Sequence, residues 1–395
     1  MRFYLKSTAA ALCIATAGWL VGGGASVHAA AKASPQMNML PGMPPVQDPN
    51  NLYSADGPGL LSATVKNFPS RVYVPNSKSD SVDIIDPKTY GIVGHFDLPK
   101  KVRKGRQGRL EPQHVVPSWD LKKLWVAQDL GDQLTEIDPA TGKEGKTLPV
   151  DDPYNMYFTP DGKYAIVMAE REMRMDFRDA QTMQIVKRVP VGCKGVNHAD
   201  FSIDGRYMIA TCEFSSELLK VDVASQTVLA HLKLKPEGMP QDCRTSPDGK
   251  VFYVANMDAD GVHVIDGENF KQIGFIKTGV GAHGLYFSRD AKYMYVSNRG
   301  TVSDHSGGSV SLIDLATRKI ATKWPIPGGG SPDMGGVSAD GKELWLSGRY
   351  NNEVYVFDTS NGHLKARIPV GREPHGLCVY PQPGRYSLGH TGNMR

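Results

Sequence analysis

Cysteine is scarce in this sequence, at five residues in 395. No CxxC or CxxCH occurs, which excludes a zinc knuckle and covalent haem attachment. Beyond residue 31 only Cys193, Cys212, Cys243 and Cys378 remain, too few for a disulfide framework in a chain this long. Catalytic signatures are missing as well: there is no GxSxG elbow, no HExxH and no Walker loop. Neither sign of charge dominates, since 45 Lys and Arg face 41 Asp and Glu. Such a balance gives no electrostatic footprint for nucleic acid. No stretch beyond the first thirty residues is apolar enough to span a bilayer, so no membrane span is expected.

What is present begins with an export signal. Arg2 and Lys6 make a basic start, Ala9 to Val21 an apolar run, and Val27, Ala29 and Ala31 satisfy the small-x-small cleavage rule. Residues 1–31 are therefore expected to be removed, leaving a soluble periplasmic or extracellular protein. Residues 32–70, rich in Pro, Asn, Met and Gly, read as a flexible lead-in with one strand at Leu60 to Val65. Met37, Met39 and Met43 are spaced as in copper(I)-binding tails, but a spacer is the plainer reading.

From Arg71 onward the chain repeats itself. Units start near His114, Asn155, His198, Asp242, His283, Asp333 and His375, 41 to 50 residues apart, the period of a four-stranded propeller blade. Each has an inner strand ending at a Ser-Pro-Asp-Gly-like turn. A β-branched and aromatic strand follows (YMYVS, VFYVA), then a strand ending in Ile/Val-Asp (VHVID), then an alternating outer strand (KARIPV). Arg71 to Leu98 lacks an inner strand, and Gly376 to Tyr380 is an inner strand without followers. The two ends are thus expected to share a blade. The fold class is all-β, a seven-bladed propeller over 71–395, with no open sheet edge and a monomer expected.

The repeated SPDGKxxYVxN and VxVID phrases, from Arg71 to about Leu388, resemble the YVTN family of bacterial and archaeal propellers. Related propellers form the haem-binding domain of cytochrome-type nitrite reductase, the copper domain of nitrous-oxide reductase and thiocyanate dehydrogenase. The resemblance implies the fold strongly. It implies little about function, because the shared residues are blade turns and blade core.

Ligands in such folds meet the loops entering the inner strands. Aligning the units puts Gln113, Tyr154, Asn197, Gln241, His283, Asp333 and His375 in one column. One residue later come His114, Asn155, His198 and Asp242. His114, His198, His283 and His375 form the candidate metal cluster, with Asp242 or Asp333 as a hard ligand; imidazole and carboxylate suit copper or zinc, and haem is the third cofactor considered. The other histidines considered, His95, His231, His263 and His363, fall elsewhere in the blade pattern. The slip between the columns leaves open whether they point at one centre, and a wet polar channel is the rival account.

Asn155, Asp242, Asp333, Arg299 and Arg349 are candidate ligand-binding residues at the channel mouth, the arginines for an anionic group. The basic run Lys100 to Arg109 suits an acidic partner, and His305 sits in a Gly/Ser-rich insertion; a solvated loop is the simpler reading of each. Cys193 and Cys212 are expected at one face of one blade, placed to form a disulfide, with Cys243 and Cys378 reduced. Two functional readings follow. One is an exported propeller that binds an unidentified ligand or protein partner at its channel mouth, with catalysis left open. The other is a metal- or haem-dependent periplasmic redox or cofactor-handling protein.

Overall fold

The turn chemistry dictates where each blade folds back. In six units a Ser or Thr hydroxyl donates to the Asp two residues on, at 2.6–2.7 Å. The same oxygen accepts a backbone N–H five residues on, at 3.0–3.1 Å. One side chain thus closes the turn and starts the next strand.

The computed structural model describes residues 37–99, 108–301 and 307–395. The export signal, most of the basic run and His305 lie outside the described residues. Seven four-stranded antiparallel sheets form the ring of a seven-bladed β-propeller. Among the described residues no helix is long and apolar enough to cross a membrane.

Inner strands run Pro112–Pro117, Pro153–Phe158, Val196–Phe201, Pro240–Thr245, Ala282–Phe287, Pro332–Val337 and Cys378–Tyr380. The first six begin within two residues of the expected starts. The seventh is shorter, because His375 and Gly376 make only local and bridging contacts before regular pairing begins. Cys378–Tyr380 pairs with Arg71–Asn76, so the two ends share a blade. The core lies between neighbouring blades; Trp345, Val354 and Val356, for example, pack on Val72, Val74 and Ile85. Outer strands such as Thr227–Lys233 alternate between exposed and half-buried positions.

Residues 38–70 differ from the flexible lead-in expected of their composition. Leu40, Leu52 and Gly59 donate backbone N–H bonds to the carbonyls of Asp204, Pro247 and Ala339, all in turns that follow inner strands. Leu40, Leu52, Tyr53 and Val65 are buried. The backbone groups of the segment are therefore satisfied by the blades rather than by water. The strand expected at Leu60 to Val65 reduces to one bridge, Leu61 to Gly384.

Residues 381–395, counted with the propeller from the sequence, follow its last strand and turn back along the same ends of the inner strands. Tyr386 stacks on Trp119 at 5.4 Å. Phe158 N–H donates to Leu388 O, and Arg395 pairs with Asp200 at 2.6 Å. This segment packs against the ends of the inner strands opposite the mouth.

Cys193 and Cys212 are bonded, while Cys243 and Cys378 are free and buried. Thiol labelling of denatured protein should find only the latter pair reactive. Cys193→Ser should cost about 2–4 kcal/mol in urea unfolding. Labelling of all four would refute the bridge.

Candidate functional site

In six blades the pairing of inner and second strands slips by one residue across the two polar columns. In the first of them Pro112 opposes Gln128 but His114 opposes Ala127. The same slip recurs in the next five. A bulge re-aims consecutive side chains that would otherwise face opposite ways. Both columns therefore reach the channel, at two depths. Nearer the mouth, Asn197 Nδ2 donates to Glu213 at 2.7 Å, and His283 and Asp333 meet Arg299. Deeper, Asn155 and Asp242 meet His390, carried by the 3-10 turn His390–Gly392. Asn155 and Asp242 thus belong to the interior of the channel rather than to its mouth.

All four predicted histidines converge. Ring centroids lie 4.8 Å apart for His114 and His375, 5.5 Å for His114 and His198, 5.9 Å for His283 and His375, and 6.5 Å for His198 and His283. His390 is a fifth member, 4.8 Å from His198 and 5.3 Å from His114. Sequence reasoning missed it because it follows the last repeat, where no periodicity assigns it a place. Its only sequence signal is a histidine between glycines in GHTG.

Hydrogen bonds set the tautomers. His114 Nδ1 donates to Tyr154 O at 2.9 Å, and His375 Nδ1 to Gln113 O at 3.1 Å, which leaves each Nε2 with its lone pair. A side chain at Gly376 would put its Cβ 2.1 Å from His114 Cδ2, so only glycine lets that imidazole in. The Asn155 amide nitrogen lies 3.2 Å from His198 Nδ1 and 2.9 Å from His390 Nδ1. One ligating nitrogen from each of His114, His198 and His390 falls within 4.8 Å of the others. Nε2 of His114 and of His198 are buried without hydrogen-bond partners.

A second trio, His283, Asp333 and His375, is as close, but a guanidinium already occupies it. Arg299 donates to His283 Nε2 at 2.6 Å and to Asp333 Oδ1 at 2.7 Å, and His283 Nδ1 faces the same oxygen at 2.9 Å. Arg349 stands 4.0 Å from Asp333 Oδ2, and its Nη1 has no hydrogen-bond partner. Of the two predicted arginines, one is committed and one has a free donor.

Burial pushes all five imidazoles below their ordinary range, His283 to about 4 with Arg299 adding to the effect. Burial also raises Asp333 and Asp242. Arg299, His283 and His375 together outweigh it for Asp333, and Arg244, His390 and His198 together for Asp242, so both carboxyls end below the usual carboxylate range. Neutral imidazoles beside an ionised carboxylate are a transition-metal donor set. At the mouth, burial and then mutual repulsion raise Glu170 beside Glu213. Asn76, Gln128, Asn256 and Asn298, at the ends of second strands, bond within their own hairpins to Asp83, Thr135, His263 and Ser311.

Among curated relatives, Antigen Lp49 of Leptospira interrogans is 27% identical over 199 residues, 45% of this chain and 41% of that protein. Protein NirF of Pseudomonas aeruginosa is 35% identical over 120 residues, 29% of this chain and 28% of that protein. The chain thus matches less than half the length of either relative. Two solved structures share the fold. Kuenenia stuttgartiensis hydrazine synthase has a TM-score of 0.59 and 20% identity, covering 69% of this chain and 91% of that one. Dihydro-heme d1 dehydrogenase NirN in complex with DHE has a TM-score of 0.58 and 18% identity, covering 81% and 78%. The model of one family spans residues 42–384. On that match, which takes in every blade of the ring, the chain belongs to the YNCE-like beta-propeller family.

Proposed function

We propose that the channel holds one transition-metal ion, copper or zinc, through His114, His198 and His390, with Asp242 beside them. The ion lies beneath the buried residues of the mouth, in a monomeric protein acting after export to the periplasm or the cell exterior. The carrying observation is the pair of buried, unpartnered Nε2 atoms of His114 and His198 converging with His390. Leaving such atoms unpaired costs about 1–3 kcal/mol each, which a ligated ion would offset. Ligation through Nε2 of His198 and His390 puts protons on both Nδ1 atoms, so Asn155 must turn its amide oxygen to them and give up the bond that oxygen now accepts from Met156 N–H at 2.9 Å. When bound, the ion supplies a Lewis acid and, for copper, a redox centre. Arg349 Nη1 is the donor available to an anionic ligand, while Arg299 holds Asp333 and His283 in place.

A tetrapyrrole, the kind of group that the NirN structure holds, is the second reading considered. The residues here do not fit one at the histidine layer. Five buried imidazoles fill it, and Gln113, Tyr154, Gln241 and Arg299, all buried, lie over them. Nε2 of His114, His198 and His390 are fully buried, so none of them presents an open face to a macrocycle, and no step is derived through haem.

Dialysis of apoprotein against copper(II) or zinc should retain one ion per chain; retention of neither would sink the metal reading and leave organic-ligand or partner binding. Since the imidazoles are already neutral, affinity should change less than about threefold between pH 8 and pH 6. Three imidazoles titrating at about 6.5 would lose on the order of 50-fold over that interval. A loss of that size would contradict the buried ligand set.

A further inference from the structure

The third ligand is carried by a segment that belongs to no blade. Residues 384–395 form a tight return in which Arg385 N–H donates to Arg395 O and Arg395 N–H to Tyr386 O. The return seats against the far ends of three inner strands. Ser387 N–H donates to Trp119 O, Gly389 bridges Tyr157, and Arg395 Nη2 donates to Asp200 Oδ1 at 2.6 Å. Gly389 is indispensable to the seat: its φ is +95°, and a Cβ there would lie 2.4 Å from Met156 O. His390 stands at the top of this plug, its ring 5.8 Å from Tyr157 and its Nε2 3.3 Å from Asp242.

We infer that residues 384–395 are a metal-coupled plug: seating the segment completes the ligand set, and the bound ion in turn holds the segment in the channel. The inference rests on the metal reading above. Linkage makes the coupling reciprocal, so an ion that loses a ligand when the plug leaves must oppose its leaving. Arg395 is a positioning residue. It touches no ligating atom and acts by pinning the strand that returns from His390.

Hydrogen exchange of the full-length protein, with and without saturating copper(II), reads the plug directly through the amides of Leu388, Asn393 and Arg395. All three donate to carbonyls within the segment. Copper should slow their exchange at least tenfold while strands remote from the channel change little. His390→Ala should abolish that slowing. Arg395→Gln and Gly389→Ala should each speed exchange and weaken copper binding at least tenfold, with Arg395→Lys recovering part of both and restoring the wild-type copper absorption spectrum. Stoichiometric copper with unchanged plug exchange would overturn the inference and leave the metal reading standing. No copper uptake by the wild-type protein would remove both.

Discussion

Replacing His114 and His390 together by alanine is expected to lower copper or zinc affinity by at least ~100-fold while leaving the propeller folded. Loss of a partner that merely orients a ligand typically costs 10- to 100-fold, so loss of two ligands should reach the top of that range or beyond. The fold should survive because neither ring belongs to the apolar clusters packed between blades. His114 faces the channel from the first turn of its strand, and His390 sits on the plug. Isothermal titration gives the affinity and the far-ultraviolet spectrum the fold. Retained wild-type affinity would place the ion elsewhere or nowhere.

Trp345→Ala is expected to do the reverse, costing about 3–5 kcal/mol of stability with metal stoichiometry unchanged. Trp345 is fully buried between the blade shared by the two ends and its neighbour, packed with Val354, Val356, Val72 and Val74. Truncation leaves a cavity that the rigid sheets on either side cannot close. Its indole Nε1 also donates to Glu343 at 3.1 Å, a bond lost with the ring. Urea unfolding measures the cost. A loss below about 1 kcal/mol would mean that blade contacts at the ring closure do not govern stability.

The architecture could be read from the sequence because its determinants are local and repeated. Each Ser-x-Asp turn states where a strand ends, and the incomplete first and last units complement each other. The four histidines of the repeat register could be found for the same reason. Their convergence could not, because it depends on a bulge whose only trace is two polar residues in succession, as at Gln113-His114 and Asn197-His198. His390 lay outside any repeat, and its place depends on how residues 384–395 return to Asp200. Arg299 and Arg349 look alike in sequence, yet one is bound by Asp333 and His283 and the other keeps a free donor. The lead-in misled for a different reason: its Pro, Asn and Gly content signals irregular backbone, which is what forms, but irregular backbone can still be packed and bonded to neighbouring turns.

Anomalous diffraction at the copper edge, from crystals of copper-loaded protein, tests the central claim most directly. The account predicts one strong peak per chain inside the channel, within bonding distance of nitrogens from His114, His198 and His390, with Asp242 alongside. A peak at the Arg299 cluster, a peak only on surface histidines such as His95 or His231, or no peak in the channel at saturating copper would contradict it.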